Sequence, residues 1–186
     1  MAAPTRERAG MRWEERLLDL FDDLEQQADG LALAERDALV AEQSRAEYAE
    51  VDLAARLAGS VGARVWLDVS GVGALEGVLR RTGDGWLVLE AGGGAWVVLL
   101  PAVRRARGLS DAAVDAAARP LTARLGVASA LRGLAESRLE CVLHAADGQV
   151  TRAVLGRVGR DFVEVRPADG PVEVVAFAAI AALRAG

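Results

Sequence analysis

The sequence predicts an α+β protein in which an acidic helical N-terminal arm is followed by two copies of a small five-stranded β-barrel, each preceded by a helix. Three observations predict it. Apolar residues recur at helical spacing up to about residue 57, charge divides near residue 52, and the chain overlays itself at a displacement of 76 residues. The expected boundaries are 1–57 for the arm, 58–108 for the first barrel, 109–134 for a helical connector and 135–186 for the second barrel.

In the arm, Trp13, Leu17, Leu20, Phe21, Leu24 and Ala28 fall three or four residues apart, which places them on one stripe of a helix from Arg12 to Ala28. Glu14, Asp19, Asp22, Asp23 and Glu25 occupy the other face. Gly30 interrupts the pattern at a cost of about 1 kcal/mol against alanine, marking a bend or cap. A second helix is expected from Ala32 to Leu57, carried by Leu39, Val40, Tyr48, Val51, Leu53 and Leu57. An antiparallel hairpin and a single kinked rod both satisfy this pattern.

Residues 1–52 carry 14 acidic and 6 basic side chains, a net of −8, whereas 53–186 carry 13 acidic and 16 basic, a net of +3. Phosphate binding is driven by basic side chains displacing counterions, so the acidic arm is not a nucleic-acid-binding segment. It reads as a solvated helix face, as a partner-binding arm or as an intramolecular cover for the basic half. No apolar run approaches the roughly 20 residues a spanning helix needs, and the first ten residues lack the apolar stretch of a secretory signal, so a cytoplasmic protein is expected. All 22 basic residues are arginine in an Ala-, Gly- and Val-rich chain; genomic GC bias accounts for that as readily as anion binding does.

The internal repeat is the strongest feature. Val65, Leu67 and Val69 fall on Cys141, Leu143 and Ala145; residues 78–83 fall on 154–159, and 86–89 on 162–165. After one added residue, Val97–Val103 meets Val174–Ile180. Each copy alternates short apolar runs with turn residues such as Ser70-Gly71, Gly83-Asp84-Gly85, Gly92-Gly93-Gly94, Asp147-Gly148 and Asp169-Gly170, the pattern of closely spaced hairpins. Alternation turns Val65, Leu67 and Val69 inward, and by the same parity Cys141 and Leu143 inward with His144 outward. The fourth strand leaves neither face polar from Trp96 to Leu100, so it is expected to be covered on both sides, by a helix or by the other copy. Between the copies, Ser110-Asp111 is a plausible N-cap for a helix from Ala112 to Ala118, and Pro120 could open a further one through Leu134.

The runs Arg64–Val69, Leu75–Leu79 and Gly85–Leu89, with their second-copy equivalents 149–155, 160–165 and 174–183, give the chain a pattern that resembles the Sm-like fold, a member of the wider class of SH3-like small barrels. The resemblance covers roughly 48–107 and 125–184 and implies a short helix followed by a bent five-stranded barrel. Sm proteins imply RNA binding through an Asp and Asn between strands 2 and 3 and an Arg-Gly pair between strands 4 and 5. Here Asp84 and Asp161 lack the following Asn, Pro101-Ala102 and Ala178-Ala179 lack the arginine, and Arg107-Gly108 follows strand 5. The resemblance therefore implies a fold and not a site. The whole chain also resembles uncharacterised proteins of high-GC bacteria, which implies no activity.

No catalytic, cofactor or metal constellation emerges. Cys141 and His144 fall on opposite strand faces, and a lone cysteine makes neither a disulfide nor a metal site. Gly92-Gly93-Gly94 opens no helix and reads as a hairpin turn. Two functional readings follow. In the first, the chain is a non-enzymatic interaction or scaffold module with a protein partner or self-association, for which Trp13, Leu17, Phe21, Leu24, Trp96 and Val98 are the candidate surface. In the second, it is an RNA- or DNA-binding regulator in which Arg80, Arg81, Arg104, Arg105, Arg107 and Arg157 form a basic strip, with Trp66, Trp86 and Trp96 as stacking surfaces. Neither a membrane nor a small-molecule substrate is expected.

Overall fold

Alternating apolar residues bounded by glycine- and aspartate-containing turns build ten strands in the computed structural model, which describes residues 35–185. The helix expected from Arg12 to Ala28, with Trp13, Leu17, Phe21 and Leu24, lies outside the described residues. The chain divides into two units at Glu50/Val51. In the first, residues 35–49 are helical (α1).

The second unit opens with α2, Leu53–Ala58. The single helix expected from Ala32 to Leu57 is thus broken, and the reason is local: Asp52 is extended, and its carboxylate accepts a hydrogen bond from the Ala55 N–H at 2.6 Å, starting a new helix. The strands follow as β1 Arg64–Val69, β2 Gly73–Gly83, β3 Trp86–Ala91, β4 Gly94–Leu99, β5 Val103–Arg107, β6 Glu140–Ala145, β7 Val150–Val158, β8 Phe162–Pro167, β9 Glu173–Ala176 and β10 Ile180–Ala185. Helix α3, Val127–Ser137, precedes β6.

The two separate five-stranded barrels expected from the repeat are not formed. The ten strands make one open antiparallel sheet in the order β5-β1-β2-β3-β4-β10-β6-β7-β8-β9. The physical reason lies in β4. β4 has apolar side chains on both faces and an edge that β3 leaves open; β10 pairs along that edge, and a core then packs on each face. Val98 pairs with Ala182, Val97 with Leu183 and Trp96 with Arg184.

The halves still follow one plan. Each runs fifth-first-second-third-fourth across the sheet, β6 begins 76 residues after β1, and β10 begins 77 after β5. The register irregularities coincide too: the second strand slips after Leu79 in one half and after Leu155 in the other. A second slip, between Asp68 and Val69 where β1 meets β5, matches one between Ile180 and Ala182 where β10 meets β6.

Two cores result, on opposite faces of the sheet. Leu57, Val65, Leu67, Leu79, Leu87, Leu89, Trp96, Val98 and Ala182 form the first. Leu99, Leu131, Leu143, Leu155, Val163, Val165 and Leu183 form the second. Successive residues alternate across a strand, so β4 and β10 contribute to both cores, and the joint is apolar on each side. A further contact ties the halves: Gly71, with φ +69°, turns so close to Ala145 that a β-carbon there would overlap the Ala145 carbonyl oxygen.

The connector departs from expectation. Between 112 and 118 only Ala116–Ala118 turns, as a 3-10 helix, because Ser110 and Asp115 capture the Ala112 and Ala117 N–H groups with their side chains. The helix expected from Pro120 is a 3-10 turn, Leu121–Arg124, separated from α3 by Leu125 and Gly126. Leu125 holds this strap to the first half, its carbonyl accepting from the Asp84 N–H at 3.1 Å and from Trp86 Nε1 at 2.7 Å.

Leu183→Ala removes a fully buried side chain from the β4–β10 joint. It is expected to cost about 2–5 kcal/mol, read as a lower urea midpoint with an unchanged slope.

Candidate functional site

Six arginines lie on the neighbouring strands β5, β1 and β2, and carboxylates stand beside four of them. Arg104 reaches Asp68 at 2.6 Å and Arg105 approaches it at 3.8 Å. Arg64 lies 3.7 Å from Glu76, and Arg80 hydrogen-bonds Glu90 across to β3 at 2.5 Å. The Arg107 guanidinium lies over the Trp66 ring, 4.4 Å from its centroid. In the second half Arg157 grips Glu164 with two guanidinium nitrogens at 2.6–3.1 Å; those hydrogen bonds hold the Glu164 carboxyl below the usual carboxylate range. Arg81 is exposed and lines a hollow of about 330 Å³ with Arg80, Arg119 and Ala123.

The six arginines singled out from the sequence therefore occupy three places: Arg80 and Arg81 on β2, Arg104, Arg105 and Arg107 on β5, Arg157 on β7. Four of them, Arg80, Arg104, Arg105 and Arg157, stand beside carboxylates. Exposed pairs of this kind add little to stability, but they cancel positive potential where it would have to accumulate for phosphate. The tryptophans are engaged as well. Trp86 is buried with its indole N–H on Leu125, Trp96 is buried in the first core, and Trp66 lies under Arg107. Val98 is fully buried, so Trp96 and Val98 hold the inner joint and present no outer surface.

Cys141 is buried in the second core, where its thiol donates to the Ala153 carbonyl at 3.4 Å. Burial, with the Glu140 charge adding, pushes its pKa up, which keeps the thiol protonated and unreactive. His144 sits on the opposite face, its ring centroid 5.1 Å from that of Trp96, while Arg184 stands over the same Trp96 ring at 5.6 Å. No group of three or more His, Cys, Asp or Glu among the described residues could hold a metal ion. No helix among them is long and apolar enough to cross a membrane.

Two features were not singled out from the sequence. An apolar cavity of about 360 Å³ lies beside the joint, walled by Val97, Leu134, Leu155 and Leu183, with the exposed Leu139 at its margin. The sheet also has two open edges. Among the described residues β5 pairs only with β1, and β9 only with β8. Along β9 Val174 is 66% exposed, and its outward neighbour Glu173 is exposed as well. The signal for β9 was present in the repeat, because Val174-Val175 aligns with Val97-Val98, yet only β4 has a strand laid against it. No protein-family model matches the chain, and no curated protein matches it.

Burial, then the Arg184 charge, pushes the His144 pKa down. An imidazole whose folded pKa lies below the ordinary value of about 6.5 is protonated more readily in the unfolded chain, so its contribution to stability is complete above that pH and is lost as pH falls below it. Unfolding midpoints taken between about pH 7.5 and about pH 5 are expected to drop more steeply for the wild type than for His144→Gln. Parallel profiles would show that His144 carries no such linkage.

Proposed function

We propose that this chain is a non-enzymatic protein-interaction module that engages partner strands at its two open sheet edges, β5 and β9. The observation that carries this reading is the β4–β10 joint. The chain already assembles its own halves by adding one half's fifth strand to the other half's fourth, and among the described residues the equivalent pair of edges is unfilled. An unfilled edge offers a row of backbone donors and acceptors to a partner strand.

The competing reading, a nucleic-acid-binding regulator using the arginines, is weakened by the carboxylates at Asp68, Glu76, Glu90 and Glu164 beside Arg64, Arg80, Arg104, Arg105 and Arg157. A photo-crosslinking residue placed at Arg105 or Val174 separates the two. Protein adducts that survive nuclease are expected at both positions and not at Arg132 on α3. Adducts removed by nuclease would favour nucleic acid, and absence of adducts at both edges would overturn the edge reading.

A further inference from the structure

We propose that the hollow between α3, β7 and β8 is a binding site for a small ligand whose charge is carried by two or more linked phosphate groups. The inference goes beyond the edge reading and does not depend on it. Arg132 on α3, Arg138 at its C-terminal cap, Arg157 on β7 and Arg166 on β8 line one hollow of about 660 Å³, and Glu136 is the one carboxylate in its wall. That volume falls within the roughly 300–1,000 Å³ of small-molecule sites.

The arginines are available. Arg132, Arg138 and Arg166 are exposed, and among the described residues their side chains make no hydrogen bond or ion pair. Glu164 holds Arg157 by Nε and Nη2 at 2.6–3.1 Å, which orients the side chain and leaves its Nη1 over. The Arg166 charge acts on the same carboxylate, so four guanidinium groups stand against Glu136 and Glu164, an excess of two positive charges. A guanidinium fork matches a pair of phosphate oxygens. One carboxylate offers two oxygens, too few for forks arriving from three elements, whereas a phosphate chain offers new ones at every link.

The internal repeat shows that this cluster is particular to the second half. At a displacement of 76 residues Arg132 and Arg157 correspond to Arg56 and Arg81, but Arg138 corresponds to Gly62 and Arg166 to Glu90. The pairing supports both matches: Glu90 faces Val78 as Arg166 faces Val154, and Gly62 and Arg138 each stand two residues before a strand. Both also have a left-handed backbone, with φ of +92° and +51°. Glycine enters that region freely and a side chain does not, yet Arg138 occupies it, alone among the described residues other than glycine. In the first half the connector takes up the matching groove. Arg56 donates to the Ser110 carbonyl at 2.8 Å, and Arg119, Pro120 and Ala123 line the hollow beside Arg81. In the second half the walls come from α3 with its cap, β7 and β8, and the place is open. A nucleic-acid strand needs a basic groove that follows its backbone, whereas Arg64, Arg80, Arg104 and Arg105 on the first half are met by Asp68, Glu76 and Glu90. The excess charge is confined to a pocket, which favours a small ligand.

The test is calorimetric titration of the full-length chain with inorganic tripolyphosphate, adenosine triphosphate and orthophosphate at low ionic strength. Tripolyphosphate is expected to saturate one site per chain, to bind at least about tenfold more tightly than orthophosphate, and to weaken as salt is added. Arg138→Gly restores the residue that the first half carries at this position, so its unfolding curve is expected to match or exceed that of wild type. It and Arg166→Gln are each expected to weaken tripolyphosphate binding about tenfold, while Arg105→Gln on β5 leaves it unchanged. Tighter binding of adenosine triphosphate than of tripolyphosphate identifies the ligand as a nucleotide, and equal or weaker binding identifies it as the phosphate chain alone. Absence of saturable binding, full affinity in Arg138→Gly and Arg166→Gln, or an equal loss in Arg105→Gln would each overturn the proposal. Single-stranded RNA bound through these arginines, with no uptake of tripolyphosphate, would overturn it as well.

Discussion

The structure depends on the pairing of β4 with β10. Among the described residues these are the only strands that contribute side chains to both cores, with Val98 and Ala182 on one face and Val97 and Leu183 on the other. Hydrogen bonding between them converts two small units, each with a core of modest size, into one continuous sheet. Small units bury a low fraction of their surface and are marginal alone, so the joint supplies what neither half has by itself. Gly71 against Ala145 adds a second point of contact that only a residue without a side chain permits.

Much of the strand layout can be read from the residues. Alternation and turn glycines locate each strand, and the offset between halves follows from matching Val65-Leu67-Val69 to Cys141-Leu143-Ala145. What could not be read is which strand lies beside which across the two halves. Periodicity reports the environment of a side chain, and Trp96 to Leu100 did report cover on both faces, but it carries no information on whether a helix or a distant strand supplies it. The single helix through Asp52 and the helix after Ser110 fail for a different reason. There a short polar side chain binds a nearby N–H, a local competition that summed helix propensity does not capture.

The arginines illustrate a further limit. A count of basic residues over 53–186 gives a modest excess, and the same count cannot show that Asp68 lies between Arg104 and Arg105, or that Glu164 accepts both nitrogens of Arg157. Those carboxylates come from neighbouring strands, so their positions depend on the pairing. The same pairing leaves Glu173 and Arg107 at opposite ends of the sheet, each with one side unoccupied.

The order of the strands along the chain has a consequence for biosynthesis. β4 is complete at Leu99, but β10, which covers it, starts only at Ile180. A nascent chain therefore carries a two-sided apolar edge through the making of the whole connector and five further strands, a state open to mispairing with other chains on the same polysome. The charged side chains that Arg104, Arg105 and Arg107 place on the first half's other edge leave that edge far less adhesive during the same interval, so the early hazard is confined to one side of the growing molecule.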